Sequence, residues 1–376
     1  MKKPPTCYNC ILEHKGESFI PATGTADNGV LVIGDAAEKA EVLEGIPFVG
    51  QSGMQLDRSI SRQNYLRDDF ALSNLIQCKP PTILLLGSPW ESAIDHCRVH
   101  LNEAVHRYKP KVLSLQGDLA LKSILGITPL ISGRSSDTPK RGYVYPVEID
   151  GYKCLAVPTI HPRFIIQGNQ NLAAVHTFDL AKAVNVAENG EEPDIHDYIL
   201  NPDFCDIESF IEEATPYAYK NDSLIVSDIE TSEQADMNEK NYDKIKKNEE
   251  IDIIRISFSF KEGHAITILY NEGTHKLIQK LFDLPFDFIG WWNMSFDVPI
   301  LKSKGFTFKA RHLDGMLAWH WLQSDVPKSL GFVSTFFTPF REWKSLDESD
   351  PEFYSCRDAD ATLRNIVAIK GLLQDA

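Results

Sequence analysis

Four short apolar runs mark the first half of the chain: GVLVIGD (29–35), ALSNLIQC (71–78), KVLSLQG (111–117) and YKCLAVPT (152–159). Each has strand length, and a breaker such as the KPP after Cys78 bounds it. Between them, 51–63, 91–108 and 118–124 are helix-compatible. Strands separated by helices predict an α/β layer with a largely parallel sheet, whose ligands gather at the carboxyl ends of the strands. The pattern then turns polar at GEEPDIHDYILNPD (190–203), which reads as a linker. DIESFIEEA (206–214) fits a helix that Asp206 can cap, with Ile207, Phe210 and Ile211 on one face. SLIVSDIET (223–231), DIIRISFSF (252–260) and HAITILY (264–270) read as strands, 354–370 as a helix, and the polar stretch 233–250 as a solvated excursion. The expected organisation is a domain over 1–187, a linker over 188–221 and a second domain over 222–376.

Length agrees, since 376 residues can bury two or three separate cores. No apolar run approaches the 18 or more residues of a membrane span, and MKKPPTCYNC has no apolar stretch behind its lysines, so neither a span nor a secretory signal is expected. Seven cysteines, odd in number, do not form a disulfide framework, and a reducing cytoplasmic setting is expected. The net charge of -15 excludes a histone-like binder and little else, because it is unevenly placed. Residues 1–190 hold 19 basic and 19 acidic side chains, whereas 191–376 hold 19 and 34. The neutral half can bring basic residues, Lys79, Lys140, Arg141 and Arg163 among them, to one ligand.

Two constellations carry chemistry. Cys7 and Cys10 form a C-x2-C pair, which Cys78 and Cys97 can complete through the fold. Four thiolates suit zinc or an iron–sulfur cluster, and the spacing favours neither. In the second half, SLIVSDIETS puts Asp228 and Glu230 two apart on one side of a strand. WWNMSFDVPIL puts Asn293 and Asp297 on one helical face, and YSCRDADAT puts Tyr354 and Asp358 one turn apart at the start of the last helix. Acidic groups from a strand and two helices can bracket two Mg²⁺ or Mn²⁺ ions, the arrangement that stabilises both oxygens of a phosphodiester displacement.

Around the cysteines the sequence resembles the iron–sulfur (family four) uracil-DNA glycosylases. The resemblance rests on C-x2-C, GDAAEKAEVLEGIPFVGQSGMQLD (34–57), SNLIQCKPP (73–81), Cys97, KPKVLSLQG (109–117) and PTIHPRF (158–164). It implies a parallel-sheet α/β/α domain and a [4Fe–4S] cluster on Cys7, Cys10, Cys78 and Cys97, with zinc as the alternative. It also implies roles. Asp35 stands where the family has a glutamate that stabilises positive charge on the sugar, and His161 donates to the uracil oxygen. Phe48 stacks on the flipped base, Asn74 reads its edge, and Gly34, Gly50 and Gly53 let the backbone approach base or phosphates. The chain departs from the pattern at Asp35, Ala37, Glu38 and Arg163, the last a phosphate-binding candidate.

Residues 222–376 resemble the proofreading 3′–5′ exonuclease domain of family A DNA polymerases, through D-x-E at 228–230, N-x3-D at 293–297, KSLGFVSTFF (328–337) and Y-x3-D at 354–358. That resemblance implies a ribonuclease H-like mixed-sheet fold, metal ligation by Asp228, Glu230, Asp297 and Asp358, and water orientation by Tyr354. Asn293 would contact DNA. Trp291 and Trp292 are read as core, with a base-stacking platform as the alternative; Asp314 is expected behind the ligands and Asp360 on the helix surface. The implied substrates are single-stranded or frayed 3′ ends and uracil-containing DNA. The implied partner is a DNA polymerase domain or subunit in a bacterial or phage-infected cell. The alternative is a glycosylase-like domain without activity, serving as a DNA-binding, uracil-sensing or polymerase-interaction module.

Overall fold

The computed structural model describes residues 2–81, 90–127, 140–232 and 251–374; the expected excursion at 233–250 lies outside the described residues. The chain divides between Glu192 and Pro193 into two compact units.

The first unit contains β1 (Thr23–Gly24), β2 (Val30–Ala36), α1 (Lys39–Glu44), α2 (Gln51–Ser61), β3 (Ala71–Ile76), α3 (Trp90–Tyr108), β4 (Val112–Gln116), α4 (Asp118–Leu125), β5 (Tyr145–Ile149), β6 (Tyr152–Thr159), α5 (Pro162–Ile166) and α6 (Ala173–Asn189). Its sheet runs β1-β3-β2-β4-β6-β5. The four inner strands are the four expected from the sequence and are mutually parallel; the edges β1 and β5 pair antiparallel. Alternation along each strand builds two cores. Leu31, Ile33, Leu113 and Leu115 pack with Ile94, Leu101 and Leu119, whereas Val30, Val32, Val112 and Val157 pack with Leu56, Ile60 and Leu180. The result is the expected α/β/α sandwich.

The second unit contains β7 (Asp197–Ile199), α7 (Phe204–Ala218), β8 (Leu224–Thr231), β9 (Ile253–Lys261), β10 (His264–Leu269), α8 (Glu272–Phe282), β11 (Phe288–Trp291), α9 (Met294–Ser303), β12 (Arg311–Asp314), α10 (Gly315–Leu322), α11 (Leu330–Phe337) and α12 (Pro351–Gln374). The sheet order is β12-β11-β8-β9-β10-β7. β8, β9 and β10 form an antiparallel meander, and β11 and β12 add parallel beyond β8. This is the ribonuclease H-like mixed sheet. Ile225 and Ile229 of β8 face a core with Phe210, Ile278 and Ile300, while Leu224 and Val226 face Leu363 and Ile366 of α12. Asp228 and Glu230 share the parity of Leu224 and Val226, so they lie on the face that α12 covers. Close approach of α12 needs Gly290, where a Cβ would stand 2.7 Å from Ile366 Cδ1 and 2.8 Å from Val226 Cγ1.

Several expectations are corrected. The linker placed at 188–221 contains β7, which pairs parallel with β10, and α7, whose Ile207, Phe210 and Ala214 belong to the second core. A three-residue edge strand with Asp197 exposed has no periodicity to distinguish it from a linker. Asp203 caps α7; Asp206 instead completes the box, accepting from Asp203 N while Asp203 Oδ1 accepts from Asp206 N, both at 2.9 Å. Asp360 is fully buried, not on the surface: it accepts from Tyr198 Oη (2.7 Å), Gly263 N (3.0 Å) and Arg364 Nε (3.0 Å). Arg141 is equally buried, in an ion pair with Asp179 that also takes the Thr159 hydroxyl, so it is lost to phosphate binding.

Candidate functional sites

The carboxyl ends of β2, β3 and β6 converge in the first unit, as a parallel sheet requires of its ligand site. Asp35 is the penultimate residue of β2, Asn74 lies on β3, and His161 follows β6 as the N-cap of α5. Asp35 and His161 line one open cleft with Glu38, Lys39, Lys79 and Arg163. The Asp35 Oδ1 atom is buried without a hydrogen-bond partner. Burial, then Asp118 and Glu38, push its carboxyl up to about 7 against the pull of Arg163. Burial lowers the His161 imidazole to about 4, so it is neutral near pH 7. Its Nδ1 accepts the Arg163 backbone N–H at 3.0 Å, which leaves the proton on Nε2 as a donor.

Phe48 and His161 stack with ring centroids 6.4 Å apart. Phe48 sits at φ +56 and is held by its backbone N–H, which donates to Glu41 Oε1; the same oxygen accepts from Asn74 Nδ2 at 3.2 Å. One buried glutamate thus fixes both the stacking ring and the amide. With one Nδ2 hydrogen on Glu41, the other hydrogen and Oδ1 of Asn74 remain available to a ligand. Sequence reasoning passed over Glu41, whose signal was its place three residues after Glu38 in a reciprocal cap of α1. Gly34 and Gly53 do permit close approach, but to the chain itself. A Cβ on Gly34 would meet Asn74 Oδ1 at 2.5 Å and Phe48 Cζ at 2.6 Å; one on Gly53 would meet the Phe48 carbonyl oxygen at 1.6 Å. Gly50, at φ +86, precedes α2. The two departures Glu38 and Arg163 face each other as an ion pair at 3.2 Å.

Cys7, Cys10, Cys78 and Cys97 line one cavity, brought together by the turns around Pro5–Cys7, the end of β3 and the helix α3. Backbone N–H groups of Leu12 and Gln77 donate to the sulfurs of Cys10 and Cys97, each at 3.4 Å. Burial pushes the Cys78 and Cys97 thiols up to about 11 and about 12. Among the described residues, no three of these sulfurs come within 4.8 Å of one another.

In the second unit, Asp228 and Glu230 of β8 and Asp358 of α12 present ligand oxygens all within 4.8 Å of one another. Burial and the Glu230, Asp297 and Asp358 carboxylates hold Asp228 well above the usual carboxylate range. Glu230 is pushed up to about 8 by burial and then Asp358, and Asp297 to about 7, chiefly by burial. Groups that resist ionisation together are the donor set a divalent cation satisfies. Asp297, on α9, stands beside this cradle with Oδ1 accepting from Ile229 N at 3.2 Å. Asn293 is not on the helix face expected from the spacing; it precedes α9 at φ +75, and its Oδ1 accepts from Ser295 Oγ at 2.6 Å. Asp314 clasps that turn, accepting from Met294 N and Leu317 N at 3.0 Å each. Trp291 is fully buried; Trp292 is half-buried and donates to the Lys328 carbonyl at 3.0 Å.

The sequence reading missed Trp343 and Lys344. Trp343 Nε1 donates to Asp358 Oδ1 at 2.6 Å, and Lys344 Nζ donates to Asp358 Oδ2 and, at 2.9 Å, to Tyr354 Oη. Burial pulls the Lys344 ammonium down, yet Asp358 and Tyr354 hold it well above its usual range. Burial and Asp358 raise the Tyr354 phenol, which keeps its proton.

A model of the uracil DNA glycosylase superfamily matches residues 21–184. The type-4 uracil-DNA glycosylase of Saccharolobus solfataricus is 30% identical over 157 residues, covering 42% of this chain and 70% of that protein. That of Archaeoglobus fulgidus is 25% identical over 194 residues, covering 52% and 94%. Among solved structures, the catalytic core of RRP6 from Trypanosoma brucei is similar at 15% identity and a TM-score of 0.36, over 67% of this chain and 66% of that one. No helix among the described residues is long and apolar enough to cross a membrane.

Proposed function

The chain belongs to the uracil DNA glycosylase superfamily through its first unit, and from that premise we propose a DNA-processing enzyme that joins a uracil-glycosylase site to a metal-dependent 3′–5′ exonuclease. The nuclease half rests on the three-carboxylate cradle of Asp228, Glu230 and Asp358, with Tyr354 one turn from Asp358. Divalent ions held there, Mg²⁺ or Mn²⁺, would compensate charge on the attacking and leaving oxygens. The protein's own part is to bind and orient: the Tyr354 phenol, protonated and accepting from Lys344, has its hydrogen free to direct a water. The activity suits editing of 3′ ends beside a family A DNA polymerase. Mn²⁺-dependent shortening of 5′-labelled single strands from their 3′ ends tests this reading, and intact strands would refute it.

In the glycosylase half, Phe48 and Asn74 would hold the flipped uracil, neutral His161 would donate from Nε2 to its oxygen, and ionised Asp35 would stabilise positive charge on the sugar. The four cysteines line one cavity, with backbone N–H groups donating to the sulfurs of Cys10 and Cys97, and the resemblance to the iron–sulfur glycosylases favours a [4Fe–4S] cluster over zinc there. Iron with little zinc in anaerobically purified protein is the expected analysis. A second reading, a module that binds DNA without excision, is favoured by one observation: Glu38 neutralises Arg163 at the cleft. DNA retention with no abasic product from uracil-containing strands would select it.

A further inference from the structure

Lys344 is the one cation placed directly on the nuclease carboxylates among the described hydrogen bonds and ion pairs. It comes from neither element that carries the cradle, but from the irregular segment between α11 and α12. Its side chain is only 17% exposed and that of Asp358 7%, so neither charge is left to water. Trp343 and Lys344, consecutive in sequence, take one oxygen of Asp358 each, and Lys344 also reaches Tyr354 Oη at 2.9 Å.

We infer that Lys344 is a positioning residue that locks Tyr354 to Asp358 and competes with the divalent ion for Asp358. The inference rests on the nuclease reading above. An N–H donor such as Trp343 occupies one lone pair of Oδ1 and leaves others for a cation. An ammonium on Oδ2 is different, because it repels a dication at the same carboxylate. With an ion held in the cradle, Lys344 would give up Asp358 and keep Tyr354, whose oxygen would accept while its hydrogen stays available to water. Without Lys344, the ion meets less opposition but the phenol loses its anchor. Metal affinity and turnover then move in opposite directions, which loss of structure alone would not produce.

The test uses the full chain. Mn²⁺ binding without DNA is followed by the paramagnetic signal of free Mn²⁺, and turnover on a 3′-labelled single strand. In Lys344→Met, Mn²⁺ should bind about tenfold tighter and kcat should fall about 100-fold. Lys344→Gln, which keeps a donor but not the charge, should show the same tightening and guards against a misfolded Met variant. Tyr354→Phe should lower kcat while leaving Mn²⁺ affinity unchanged. Unchanged or weaker Mn²⁺ binding in both lysine variants, or unchanged turnover, would overturn the inference. Wild-type protein that binds Mn²⁺ through Asp228 yet degrades no DNA removes the nuclease reading instead, and the Mn²⁺ comparison still decides the competition.

Discussion

The two sites solve opposite electrostatic problems. In the first unit Asp35 stands near a neutral histidine, with the cleft's Glu38 paired to Arg163, and the surrounding side chains are fixed by backbone and amide hydrogen bonds through Glu41. In the second, three carboxylates crowd within 4.8 Å, and burial together with neighbouring acidic groups raises Asp228 and Glu230 against ionisation. A site that stabilises a developing cation needs one well-placed charge. A site that binds two-fold positive ions needs several, and tolerates their repulsion. The comparison predicts that the two activities respond to different perturbations within one chain.

The sharpest break is the Asp228→Ala plus Glu230→Ala double variant. It should lose at least about 1,000-fold of 3′-end shortening, since removal of the cradle removes the ions' contribution. Uracil excision by the same protein should be unchanged, measured as alkali-labile sites in EDTA. Next, His161→Ala should lower uracil excision about 100-fold, the size typical of a lost oxyanion donor, and leave the nuclease intact. The pH dependence has a definite sign. Asp35 must be ionised to act and its carboxyl is raised to about 7, so excision should increase as pH rises through about 7 and then level off. His161, neutral above about 4, adds no second limb in that range. A rate that falls between pH 6 and 8 would remove Asp35 from the proposed role. Glu41→Gln should have a smaller effect, about tenfold on KM for uracil-containing strands, because a misplaced Phe48 and Asn74 weaken binding more than chemistry.

The comparison also shows which features the sequence could reveal. Asp228 with Glu230, and Tyr354 with Asp358, were legible as same-side pairs from strand parity and helical periodicity, whereas that the strand and the helix meet at one site came from the resemblance. Asn293 was misjudged because a left-handed residue at the helix entrance breaks that periodicity. Lys344 sits in an irregular segment, where no period connects it to Asp358. In the first unit the inner strands were legible from their apolar runs. β1 has only two residues, and β5 carries Pro146, which an edge strand tolerates but a strand signal does not. Glu41 had no placement from the sequence, and only the fold turns it inward to Phe48 and Asn74. Arg141 and Asp360 looked like surface charges; each is buried against a partner distant in sequence.

One measurement separates the two chemistries most directly. A 5′-labelled strand with a single internal uracil is incubated with the full chain, first in EDTA and then with Mn²⁺. The account predicts an abasic site at the uracil and an intact 3′ end in EDTA, and progressive 3′ shortening once Mn²⁺ is present. Intact uracil in EDTA, or 3′ shortening that proceeds without a divalent ion, would contradict it.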